Sequence, residues 1–197
     1  MKKGYTLPIL FLLFHASLSW ALFEKIEGLD KTRITQITFS KETDSTLLVT
    51  SENTLYLSND GGITFNKIVS LKDEKITHAF FQDESTLYIS STRNAYRYKK
   101  KLERIFSIPD NESIHYINQY NQTLLLATSQ GLYQTKESIL NWHRIPELAD
   151  NNLYYIEQIS PHLFVIGNRG LYHVSPEGKL NRTYITRSVD EENLLYF

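Results

Sequence analysis

Short apolar runs recur along the chain, four or five residues at a time, broken by clusters of Ser, Asn, Asp, Gly or Lys. Four of them align: Thr46-Leu47-Leu48-Val49-Thr50, Thr86-Leu87-Tyr88-Ile89-Ser90, Thr123-Leu124-Leu125-Leu126-Ala127 and His162-Leu163-Phe164-Val165-Ile166. A polar hairpin follows each, and then a second run holding Tyr56, Tyr96, Tyr133 or Tyr172. The tyrosine stands ten residues after the start of its segment every time, and the segments start 40, 37 and 39 residues apart. Helix pairs can repeat at this period. Runs this short, rich in β-branched and aromatic residues and bounded by turn residues, predict strands instead.

Two more strands flank each pair. Before it lie Ile34–Ile37, Ile76–Ala79, Ile114–Ile117 and Leu153–Ile156; after it lie Phe65–Ile68, Glu103–Phe106, Trp142–Ile145 and Leu180–Ile185. Four strands in about 40 residues is the period of a propeller blade. The sequence therefore predicts an all-β fold, a β-propeller of four-stranded antiparallel blades over residues 34–74, 75–112, 113–152 and 153–192, with strands A to D running from centre to rim. Phe23-Glu24-Lys25-Ile26 matches the D-strand pattern of Phe65 to Ile68, and Leu194-Leu195-Tyr196-Phe197 matches an A strand. An orphan outer strand over 22–27 and an orphan inner strand over 193–197 are thus expected, the four visible blades being part of a larger, truncated propeller.

Between strands C and D of the first blade lies Ser58-Asn59-Asp60-Gly61-Gly62-Ile63-Thr64-Phe65. The glycines supply positive φ for a tight hairpin, Asp60 accepts from turn amides, and Ser58 and Thr64 extend that network above Phe65. The stretch resembles the Asp-box, S-x-D-x-G-x-T-W, of BNR (sialidase-type) β-propellers at Ser58, Asp60, Gly62, Thr64 and Phe65, with Phe where the family usually carries Trp. The other C–D turns, Tyr98–Lys101, Thr135–Ser138 and Ser175–Gly178, do not repeat it. The resemblance implies the non-catalytic branch of the family, similar to photosystem-assembly-type and sortilin-type propellers.

Composition adds the compartment. Lys2 and Lys3, the apolar Leu7–Phe14 and the small residues of Ser19-Trp20-Ala21 have the layout of a signal peptide over residues 1–21. The apolar run falls short of the ~20 residues that span a bilayer, so no stable membrane span is expected after cleavage. Export to a bacterial periplasm, outer envelope or medium follows, and the chain has no cysteine to staple or to hold a metal. Beyond residue 21 there are 19 basic and 22 acidic side chains, a net charge of −3, which gives no basic excess for nucleic acid.

The chemistry is sparse. Arg144-Ile145-Pro146 matches the Arg-Ile-Pro motif of sialidases, whose arginine binds the substrate carboxylate. It follows the Asp-box on an outer strand, however, and Ser107-Ile108-Pro109 sits at the matching place one blade earlier, so the internal repeat accounts for it. Glu157 beside Tyr154 and Tyr155 is the nearest approach to a sialidase Tyr–Glu pair. Asp83-Glu84 and Asp190-Glu191-Glu192 fall in turns, and His78, His115, His143, His162 and His173 lack metal-ligand spacing. No catalytic residue, metal or cofactor is expected.

A binding surface is better supported. The B–C tips present Glu52, Asn53, Arg93, Asn94, Gln130, Asn168 and Arg169 as a rim, and Gln36, His78, Tyr116 and Tyr155 recur at one inner-strand position as channel lining. The expected function is a non-catalytic binding or assembly scaffold for a protein or carbohydrate partner. The alternatives are a sialidase-like or other glycoside hydrolase with catalytic residues partly outside this chain, and the sensor propeller of a membrane-bound regulator.

Overall fold

The computed structural model describes residues 26–29, 33–174 and 180–184. The leader, most of the expected outer strand, the Ser175–Gly178 turn and Leu194–Phe197 lie outside the described residues. Among the described residues, sixteen strands form four antiparallel sheets, each in sequence order. Blade one is β1 (Gln36–Phe39), β2 (Leu47–Thr50), β3 (Thr54–Ser58) and β4 (Asn66–Ser70). Blade two is β5 (Ile76–Asp83), β6 (Thr86–Ser91), β7 (Asn94–Lys99) and β8 (Lys101–Ser107). Blade three is β9 (Ile114–Tyr120), β10 (Thr123–Thr128), β11 (Gly131–Lys136) and β12 (His143–Arg144), and blade four is β13 (Leu153–Ile159), β14 (His162–Gly167), β15 (Gly170–Val174) and β16 (Leu180–Tyr184). The fold is that of β-propeller blades.

The core lies between blades. Leu48 and Leu55 of blade one meet Ala79, Ile89 and Tyr96 of blade two. Phe80 and Tyr88 of blade two meet Ile117, Leu126 and Tyr133 of blade three. Leu125 and Leu132 of blade three meet Ile156, Val165 and Tyr172 of blade four. Alternation along each strand sends odd and even positions to opposite faces, so every central strand must be apolar on both. β2 and β6 accordingly are buried along their whole length.

The recurring tyrosine anchors a polar cluster that the strand pattern does not announce. Two residues before the A strand of blades two, three and four stand Glu74, Glu112 and Asn151, and each accepts from the C-strand hydroxyl of the blade that follows it. The distances are 2.8 Å for Tyr96, 3.1 Å for Tyr133 and 3.0 Å for Tyr172. A bulge just before Tyr56, Tyr96 and Tyr172 sets the C–D register, and the cross-strand partners of Tyr56, Tyr96, Tyr133 and Tyr172 are Lys67, Arg104, Arg144 and Arg182. Arg144 closes this cluster, donating to Tyr133 Oη at 2.7 Å and pairing with the buried Glu112. The Arg-Ile-Pro arginine is therefore part of the blade-three frame.

The Asp-box turn is a closed hydrogen-bond knot. Ser58 donates to Asp60 at 2.7 Å and accepts from the Gly62 amide at 2.9 Å, while Thr64 donates to Asp60 through its amide at 3.0 Å and its hydroxyl at 2.5 Å. Gly61 and Gly62 carry φ of 75° and 92°, a conformation that favours glycine. Phe65 is buried against Leu47 and Val49. Glu27 bridges Thr64 in parallel, its carbonyl accepting from the Phe65 amide at 3.0 Å, so Glu27 lies alongside this turn.

Two outcomes test this frame. Glu112→Ala leaves Arg144 and Tyr133 facing each other without the buried anion and should cost about 3 kcal/mol, whereas Asn151→Ala removes a neutral acceptor and should cost about 1 kcal/mol. Equal losses in denaturant midpoint would show that the charge contributes nothing beyond an ordinary hydrogen bond. Separately, bonds from Thr64 and then Ser58 lower the Asp60 pKa from 3.8 to about 2. The knot's contribution is present above pH 3.8 and is lost as pH falls through about 2. An Asp60 titration by NMR with its midpoint at the ordinary value would contradict the knot.

Candidate functional site

The four inner strands have no strand partner on their inner edge among the described residues. One carbonyl on each of β5, β9 and β13 is satisfied instead by a side chain of the blade before. Thr38 donates to the Ala79 carbonyl at 3.0 Å, His78 Nδ1 to Ile117 at 2.8 Å, and Asn118 Nδ2 to Ile156 at 2.9 Å. The three carbonyls occupy the same place in β5, β9 and β13. A bulge near the start of each of those strands sets aside Thr77, His115 and Tyr154 and turns the next residue, His78, Tyr116 or Tyr155, inward.

Those residues surround a cleft of about 750 Å³ to which all four blades contribute, and Gln36, His78, Tyr116 and Tyr155 all line it. The rings form a ladder. His78 stacks on Tyr116 with centroids 3.7 Å apart, and Tyr116 meets Tyr155 at 4.5 Å with the planes tilted by 55°. Tyr155 donates to Glu157 Oε2 at 2.5 Å. Burial first, then the Tyr155 contact, pushes the Tyr116 hydroxyl well above the usual range. Burial and the Glu157 contact likewise raise Tyr155, so both hydroxyls remain protonated donors. Across the cleft, Gln36 donates to Thr38 at 2.9 Å, and its buried Oε1 has no partner among the described residues.

The rim residues divide. Glu52, Asn53, Asn168 and Arg169 are exposed, and Arg93 and Gln130 half-buried. Asn94 is buried, donating to Glu74 at 2.9 Å and accepting from Ser107 at 2.7 Å, so it belongs to the blade-two frame. Arg93 reaches Asp110. The tips also tie the blades together through their backbones: the carbonyls of Glu52, Thr92 and Gln130 accept from the amides of Ile76, Ile114 and Asp150 at 2.7, 2.9 and 3.0 Å. Gly131, with φ of 134°, ends one tip where a Cβ would come within 2.7 Å of the Leu148 carbonyl.

Sequence reasoning did not find Asn118 and Thr38 in the cleft wall, nor the Glu74–Tyr96 and Glu112–Tyr133 contacts. A signal existed for the latter, since an acid or amide recurs two residues before three A strands. Among the described residues, no group of three or more His, Cys, Asp or Glu side chains could hold a metal. No described helix is long and apolar enough to cross a membrane.

No family model matches the chain, and no curated protein does. Solved structures do. YCF48 bound to D1 peptide superposes with a TM-score of 0.58 at 18% identity, over 74% of this chain and 52% of that one. The extracellular domain of the putative one-component system BT4673 from B. thetaiotaomicron gives 0.62 at 15% identity, over 78% and 22%. The GH74 xyloglucanase from Xanthomonas campestris gives 0.61 at 12%, over 76% and 30%. The chain thus spans about half of the first structure and less than a third of the other two. At these identities the likeness is one of fold.

Burial lowers the His78 pKa from 6.5 to about 4, outweighing the bond to Ile117. The unfolded chain then binds a proton in a range where the folded ring stays neutral, so stability is full above pH 6.5 and falls as pH drops towards 4. His78→Asn should flatten that slope by roughly 1.4 kcal/mol per pH unit within the window. An unchanged slope in urea unfolding from pH 7 to 4.5 would place the titration elsewhere.

Proposed function

We propose that this protein is an exported, non-catalytic binding scaffold whose central cleft takes a segment of a protein partner, with the B–C rim at its mouth. One observation carries the reading. Four inner strands converge on a concave surface whose aromatic rings, amide and carboxylate are held by the frame. Gln36 and Glu157 supply acceptors for backbone or side-chain donors, the tyrosine faces supply stacking surface, and recognition on a rigid scaffold is what such an arrangement suits. YCF48, of similar fold, has been solved with a peptide bound. Export rests on the composition of residues 1–21.

Hydrolysis is the weaker reading. Sialidase-type chemistry needs arginines around the substrate carboxylate, whereas among the described residues Lys41 is the one lysine or arginine lining the cleft, and Arg144 is engaged with Glu112 and Tyr133. The sensor reading is compatible with the same fold, since the extracellular domain of the putative one-component system BT4673 has a similar fold, and it would differ in what lies beyond the blades.

Selection of random 12-residue phage-displayed peptides against the full chain should yield binders of micromolar Kd. Phe39→Ala with Lys41→Ala, on the exposed lip of the cleft, should weaken them about tenfold, equivalent to about 1.4 kcal/mol. Glu52→Ala with Arg169→Ala should matter less. Peptides indifferent to the cleft variants, or turnover of any member of a nitrophenyl-glycoside and xyloglucan-oligosaccharide panel, would overturn the reading.

A further inference from the structure

The inner strands obey a rule that blade four breaks. In blades one to three, the side chain that leans towards the next blade's inner strand is a donor: Thr38, His78 and Asn118 each give a proton to a carbonyl there. Glu157 of blade four stands at the place of Thr38 and Asn118, four residues into its strand motif. An ionised carboxylate only accepts, so it cannot serve a carbonyl edge. Tyr155, at the place of His78, directs its own proton to Glu157 at 2.5 Å. The device that elsewhere joins one blade to the next is here turned upon itself, and the charge is left towards the cleft.

What that charge faces is aromatic. Tyr155 is 37% exposed, and the centroid of the Tyr116 ring lies 4.5 Å from that of Tyr155, both lining the cleft. Among the described residues neither Lys41 nor any arginine forms an ion pair with Glu157. Ring faces attract ammonium and guanidinium groups, and a carboxylate beside them adds a charge-assisted hydrogen bond. The Tyr155 bond fixes one carboxylate oxygen and so orients the other without neutralising it.

We propose that Tyr116, Tyr155 and Glu157 form a subsite for a lysine or arginine side chain of the bound protein segment, an inference that rests on the peptide-binding reading above. The basic side chain lies along the tyrosine rings and ends at Glu157, while Gln36 accepts from a backbone amide across the cleft.

The test titrates the full chain with N-acetyl-arginine methylamide, its lysine counterpart, the neutral norleucine isostere and the glutamate analogue, read from the Tyr116 and Tyr155 ring resonances. The two cationic probes should shift both rings and the neutral and acidic probes should not. Glu157→Gln should weaken the arginine probe about tenfold. Tyr155→Phe, which keeps the ring and the carboxylate, should retain most of the binding and serves where the glutamine variant fails to fold. Equal shifts from norleucine, or arginine binding unchanged in Glu157→Gln, would overturn the subsite. Selected peptides that occupy the cleft without a basic residue overturn it too, while leaving the peptide reading intact. Cationic probes that bind at Tyr155 when no peptide can be selected do the reverse.

Discussion

A four-stranded blade has two apolar faces and no way to bury either alone. Each face of β6 or β10 is covered only because another blade lies against it, so the folded state of any blade depends on its neighbours. One position measures this dependence. Ala79, Ile117 and Ile156 are all fully buried at the junctions, whereas Ile37, at the same place in blade one where no described blade lies against it, is 54% exposed. The difference is worth about 1–2 kcal/mol for an isoleucine, and it comes from the neighbour and not from the residue.

Apolar contact alone would let adjacent blades slide. The tyrosine clusters fix them. Tyr96, Tyr133 and Tyr172 each insert into the junction with the preceding blade and each direct a hydroxyl to a polar residue on the incoming crossover. A buried phenol must find a partner or lose the full cost of its desolvation, so one angular setting is favoured over its alternatives. The bulge preceding Tyr56, Tyr96 and Tyr172 has the same logic at the level of the backbone: it makes Lys67, Arg104 or Arg182 the cross-strand partner of the tyrosine.

How much of this could be read from the chain follows from which interactions are local. Strand alternation and turn residues are local, so four blades of four strands are legible in the apolar pattern, with Gln36, His78, Tyr116 and Tyr155 on their inner strands. Direction of a polar side chain is not. A single bulged residue reverses every face beyond it, and the bulges at Thr77, His115 and Tyr154 leave no mark in the apolar pattern. Asn94 illustrates the cost: it sits at a hairpin tip in sequence, yet the ladder buries it beneath the tip against Glu74 and Ser107. Glu74 and Glu112 are hidden for a different reason, since their tyrosine partners lie 22 and 21 residues on.

The cleft itself is a consequence of the inner edge. A strand edge turned to the centre leaves carbonyls that water or side chains must satisfy. Meeting that need with Thr38, His78 and Asn118 obliges the innermost wall to be polar and aromatic where the rest of the blade is aliphatic. Those three side chains are committed to the frame and have little left for a ligand. Gln36 Oε1 and the second oxygen of Glu157 are not committed, and they stand on the first and last of the described inner strands, along the same space. Specificity should therefore reside in these two acceptors and in the ring faces between them, while the positions that look most conspicuous in the sequence, His78 above all, hold the walls in place.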